Sequence, residues 1–279
     1  MSFDPNQTYD ADYRVRGDGE IEPARKPTPK WRQLLGPFGI GLVFLATKFK
    51  FIFASLKGVK FIGTGLSAFL SIGAYALLFP WQMAVGLVVL IFIHELGHVF
   101  VLRRYGVPAT APIFIPFMGA YIGMKQLPKN AVMEAYVGMG GPIIGSLAAF
   151  ATYGLYLLTD STLFLALAYI GIILNLFNLL PILPLDGGRA VGAISRWFWV
   201  IGLVGLVVLI FLRPSPILFL ILLFGAPELF NAIRGRGDDD YYKVSTRDRL
   251  TIAAIYFGLL IVLGYSMYEL GGLVEANRP

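Results

Sequence analysis

The chain has 279 residues, of which 57% are hydrophobic and only 14% charged, with mean hydropathy +0.70. A soluble domain carries about 25% charged residues, so this is the composition of a polytopic helical membrane protein. The absence of cysteine excludes disulfides, thiolate metal sites and a cysteine nucleophile, and the net charge of +6 is that of Lys and Arg kept in cytoplasmic loops, with no nucleic-acid partner implied.

Residues 1–33 form a polar tail with several Pro, Gly and Asp and without the charged-then-apolar layout of a signal peptide. They are expected to be disordered or loosely ordered. Residues 34–60 are largely apolar but contain Lys48, Lys50, Lys57 and Lys60. This segment is expected at the membrane surface, where lysines can snorkel.

Apolar stretches then follow at 61–78, 82–102, 131–158, 163–180, 198–212, 216–230 and 250–270. A helix needs about 20 apolar residues to cross the hydrocarbon. The pattern predicts an all-α fold of about six to seven transmembrane helices, the fifth and sixth stretches being short and joined around Arg213-Pro214-Ser215-Pro216. Residues 61–189 would form the functional core and 190–279 a set of C-terminal transmembrane helices. Arg103, Arg104, Arg189, Arg196, Arg234, Arg236, Lys243, Arg247 and Arg249 fall on one side if the stretches alternate. That side is cytoplasmic, and so is the N-terminal tail. Residues 105–128 are broken by Pro108, Pro112, Pro116 and several glycines. Proline at this density stops a helix, and a re-entrant or β-like loop is expected after the second apolar stretch.

The second stretch contains His94-Glu95-Leu96-Gly97-His98. Residues i and i+4 share a helix face, so both imidazoles can bind one metal, with Glu95 placed as a general base. The chain has two histidines, and both are here. Ionisable groups in an apolar span are costly and point to function. A catalytic zinc takes three protein ligands and keeps one open position. Without a third His or any Cys, the third ligand is a carboxylate. Asp160 is predicted on the opposite side. Depth favours Asp186 and leaves Glu134 and Glu228 open. Asp186 sits in Pro181-Ile182-Leu183-Pro184-Leu185-Asp186-Gly187-Gly188, where it is expected to close the fourth span amid turn-forming residues.

His94-Glu95-Leu96-Gly97-His98 together with Asn178-x-x-Pro181-x-x-x-x-Asp186-Gly187 resembles the site-2 protease family of intramembrane zinc metalloproteases. Gly140-Gly141-Pro142 resembles a Gly-Pro element of that family's middle core helix. The resemblance implies one zinc per chain, with Asp186 as its third ligand and Asn178 near the metal, steadying substrate or oxyanion. It also implies a transmembrane protein substrate in the lipid bilayer. No segment between spans has the length of a PDZ domain, which many bacterial members carry. The plasma membrane of a bacterium or archaeon is the expected location. Asn175, one turn before Asn178, is read as polar packing between helices. Two other readings remain at this level. One is a membrane metalloprotease whose third ligand is Glu134 or Glu228. The other is a zinc-binding membrane protein or transporter without catalysis.

Overall fold

The computed structural model describes residues 13–15, 21–23, 60–124, 126–233 and 240–277. The interfacial segment expected at 34–60 lies outside the described residues except for Lys60. Two units are distinguished, Met1–Gly58 and Val59–Pro279. In the first, the tail expected to be disordered or loosely ordered contains two short antiparallel strands. β1 (Tyr13–Val15) pairs with β2 (Ile21–Pro23), with Arg14 opposite Glu22. Tyr13, Val15 and Ile21 are good strand formers.

The second unit is helical. α1 (Lys60–Ala76) is followed by α2 (Trp81–Arg104), which starts directly after Pro80. α2 ends where Gly106 takes a positive φ of 69°. Val107 N–H returns to Leu102 O and Gly106 N–H to Arg103 O, the Schellman pattern that satisfies the last carbonyls. α3 (Ala131–Thr159) is capped by the Asn130 side chain, which accepts from Met133 N–H at 2.9 Å. α4 (Thr162–Asn178) runs back beside it. The short α5 (Asp186–Ile194) precedes an apolar pair, α6 (Trp197–Leu212) and α7 (Pro216–Ile233), joined at Arg213–Ser215 as expected. α8 (Thr246–Ala276) begins at Ser245, whose hydroxyl accepts from Asp248 N–H.

Three of these helices, α2, α3 and α8, are long and apolar enough to cross a membrane, while α4, α6 and the first part of α7 are shorter apolar helices. Large apolar side chains such as Phe69, Phe100, Leu158, Phe211 and Tyr268 face outward, as lipid-facing residues do. The chain is an integral, mostly helical membrane protein.

Between α2 and α3 the proline-rich segment is a hairpin. β3 (Ile113–Ile115) pairs antiparallel with β4 (Gly119–Tyr121), with Phe114 opposite Ala120. Its turn needs positive φ at Phe117 and Gly119, and Phe117 is stacked edge-on against Tyr75 of α1. α1 also covers the outer edge of β3: Ser67 Oγ accepts from Phe114 N–H and Thr64 Oγ donates to Pro112 O.

α3 is the central element, packed against α2, α4, α5 and α8. Its largest buried cluster joins Met139 of α3, Ile172 of α4, Val191 of α5, Trp199 of α6 and Tyr256 of α8.

Candidate metal centre

His94 and His98 lie one turn apart on α2 and both face α3. α2 can approach closely because Gly97 meets Gly140, where a Cβ on either residue would overlap backbone atoms of the other. The close approach puts His98 Nδ1 2.7 Å from Val137 O on α3. A carbonyl only accepts, so Nδ1 carries the proton and Nε2 keeps its lone pair. His94 Nδ1 is 2.8 Å from Asn175 Oδ1 on α4.

Asp186 arrives from a broken stretch of chain. α4 stops at Asn178, shortly before Pro181, and an irregular segment leads through Pro184 to α5. The sequence reading put Asp186 at the close of the fourth span, within a turn. In the structure the turn is 179–185 and Asp186 opens a separate helix, where a carboxylate suits the first turn. Gly187 and Gly188 are helical; they are required because their Cβ atoms would run into Leu179 O and the Ile182 carbonyl. Two side-chain bonds flank this bend, one at its start and one in the helix after it. Trp199 Nε1–H donates to Gly188 O at 2.7 Å, and Tyr256 hydroxyl donates to Leu179 O at 2.6 Å.

His94, His98 and Asp186 therefore meet. Asp186 Oδ2 is 3.1 Å from His94 Nε2 and 3.3 Å from His98 Nε2, and the two Nε2 atoms are 3.2 Å apart. A tetrahedral zinc with ligands at about 2.0 Å has ligand–ligand edges of about 3.3 Å. Imidazole nitrogens and a carboxylate oxygen gathered at this spacing, in a buried place, are a donor set that a divalent cation fits. Gly141 of α3 adds the needed room: a Cβ there would overlap Nε2 of both histidines.

Glu95, next to His94, is 8% exposed. The other carboxylates considered are placed differently. Glu134 accepts from the Tyr241 hydroxyl at 2.7 Å and is not among the described metal-capable group. Burial and the Glu134 carboxylate hold the Tyr241 hydroxyl far above its ordinary range, so it stays protonated as donor. The Glu228 side chain lies outside the described residues. Asn178 donates from Nδ2 to Leu174 O at 3.1 Å. The asparagine in contact with the metal-capable group is Asn175, which sequence reasoning assigned to helix packing. It stands three residues before Asn178, so both lie toward one side of α4 and spacing alone does not tell them apart.

Residues 82–161 and 158–202 match the model of peptidase family M50. The chain is 32% identical over 118 residues to "Zinc metalloprotease MJ0392" of Methanocaldococcus jannaschii, covering 39% of this chain and 32% of that protein. It is 33% identical over 138 residues to "Putative zinc metalloprotease Rip3" of Mycobacterium tuberculosis, covering 44% of this chain and 34% of that protein. The chain thus spans about a third of the length of the relatives it matches. The family match covers α2 through the start of α6 and includes every residue of the histidine–aspartate group. Residues 82–202, less than half of the chain, are thus similar to peptidase family M50, the site-2 protease family that the two motifs resemble.

Proposed function

We propose that this protein is an intramembrane zinc metalloprotease that hydrolyses peptide bonds within or near transmembrane segments of other membrane proteins, in regulated intramembrane proteolysis. The observation that carries the reading is the meeting of His94 Nε2, His98 Nε2 and Asp186 Oδ2 at 3.1–3.3 Å inside an apolar helical unit, with Glu95 one residue from His94. His94, His98 and Asp186 would hold one zinc per chain. When bound, zinc would polarise the scissile carbonyl and make water a competent nucleophile near neutral pH. Glu95 takes the proton from the attacking water and returns it to the departing amine. Asn178 spends one of its two amide hydrogens on Leu174 O, which leaves the second for the developing oxyanion.

A helical substrate hides its peptide bonds, so it must unwind to be cut. The β3–β4 hairpin offers a template. Phe114 N–H turns away from β4 toward Ser67, so Phe114 and Ala120 form a pair whose backbone groups point outward from the hairpin. α1 takes the β3 side. On the β4 side, Ala120 presents its groups to an added strand. The placement we propose has six to seven spans, the N-terminus in the cytoplasm and the plasma membrane of a bacterium or archaeon as host. The assignment of Glu134 as third ligand is less well supported, because its carboxylate is engaged by Tyr241.

The test is bound metal by elemental analysis of detergent-purified protein, with cleavage of a model transmembrane substrate alongside. Glu95→Gln is expected to retain one zinc and lose cleavage by a factor of roughly 10² or more. Asp186→Ala is expected to lose zinc. Cleavage surviving in Glu95→Gln, or a wild-type protein that takes up no metal, overturns the proposal.

A further inference from the structure

Asn175 is buried on α4 at 2% exposure, and the chemistry above uses neither end of its amide. Both ends are held. Nδ2 donates to Gly171 O, one turn earlier, at 2.7 Å. A carbonyl only accepts, so the amide nitrogen lies on that side and Oδ1 is the atom facing His94. Oδ1 also only accepts, so its 2.8 Å contact with His94 Nδ1 is made by an Nδ1–H. A neutral imidazole protonated at Nδ1 carries its lone pair on Nε2, the atom turned toward Asp186 and His98. From α3, Gly145 lies against Asn175 Oδ1, where a Cβ would overlap it. The two hydrogen bonds agree on one orientation of this amide, and Gly145 leaves the room for it.

We propose that Asn175 is a positioning residue for metal capture. It fixes His94 as the Nδ1–H tautomer and aims Nε2 into the site, as the Val137 carbonyl does for His98. The inference rests on the zinc reading of the three side chains given above. Partners of this kind raise ligand basicity and hold the ring in place, and losing one costs 10- to 100-fold in metal affinity in typical sites. An amide does this without adding another negative charge to an apolar site that already holds Asp186 and Glu95.

The experiment uses the full-length protein loaded with zinc in detergent. Because the chain has two histidines, ¹⁵N-histidine labelling gives two ring systems, and NMR reads which nitrogen of each carries hydrogen and which carries metal. The wild type is expected to show Nδ1–H with zinc on Nε2 in both rings. The zinc dissociation constant, measured by chelator competition, is expected to rise roughly 10- to 100-fold in Asn175→Leu. Asn175→Asp keeps an acceptor for Nδ1–H and is expected to restore most of that loss. Zinc affinity in Asn175→Leu equal to wild type, or a His94 ring bound through Nδ1, overturns the inference. Should Asn175→Leu fail to fold, the wild-type tautomer and the Asn175→Asp affinity still carry the test. A wild type that binds no zinc is a different result: it removes the protease reading on which the role of Asn175 depends.

Discussion

Gly141 occupies the point on α3 where both histidine Nε2 atoms converge, and a single methyl group there would fill the space a metal needs. Gly141→Ala is therefore expected to weaken zinc binding by roughly 10-fold or more, comparable to losing a ligand's partner. The helix itself should persist, since alanine is the better helix former. Chelator competition together with helical circular dichroism checks both halves; unchanged affinity would show that the metal sits elsewhere. At this scale, the spacing of His94, Glu95 and His98 was readable because a helix brings i and i+4 together. Asn175 was not readable in the same way. Its meaning depends on which atom of another helix its oxygen meets, and two asparagines three residues apart look alike until α2 and α3 are packed around them.

Among the elements, α4 explains how a carboxylate reaches the two histidines. Its 17 residues rise about 26 Å, less than the roughly 30 Å of hydrocarbon. The chain then bends at 179–185 and restarts as α5 with Asp186 in its first turn. Tyr256 satisfies one carbonyl of the bend, Leu179 O, and Trp199 ties down the helix that follows it through Gly188 O. The prolines of this stretch announced a break. They did not announce a second helix, because the glycines after Asp186 read as turn residues until their contacts with Leu179 and Ile182 show that they are packing residues. The β3–β4 hairpin carries its own prediction. Ala120→Pro removes an outward N–H while leaving the hairpin's own bonds, which come from the Ile113–Tyr121 and Ile115–Gly119 pairs. It is expected to slow cleavage about 10-fold, the worth of roughly one backbone hydrogen bond in the transition state, with zinc content unchanged. Full-rate cleavage would end the strand-pairing idea.

Across the helical unit, α3 sets the scale. Its 29 residues span about 44 Å, enough to cross with some tilt. Ala131 N–H at one end donates to Tyr241 O of the α7–α8 loop at 2.9 Å, so that loop and the start of α3 share a side. Val137, against His98, lies about 9 Å along from Ala131, which puts the metal-capable group nearer that end. Arg103, Arg104, Arg247 and Arg249 lie near that end in sequence, which supports the proposed cytoplasmic placement of this side. Asp160 is at the far end of α3. With no native cysteine, single replacements can be labelled cleanly. Asp160→Cys is expected to react with a membrane-impermeant thiol reagent in intact cells, and Lys243→Cys only after permeabilisation. The reverse pattern would invert the proposed orientation.

Composition and hydrophobic runs were enough to establish a multi-helix membrane protein, because burial in lipid demands apolar length that local sequence displays directly. They were also enough to pair two histidines and a glutamate, because helical periodicity is local. The carboxylate that meets the histidines, the opening of α5 at Asp186 and the contacts of Asn175 and Val137 with the imidazoles all depend on residues some 40 to 90 positions apart. Those distances are set by glycine-mediated approach of α2, α3 and α5, and only packing in three dimensions selects which of several carboxylates and amides ends up against the histidines.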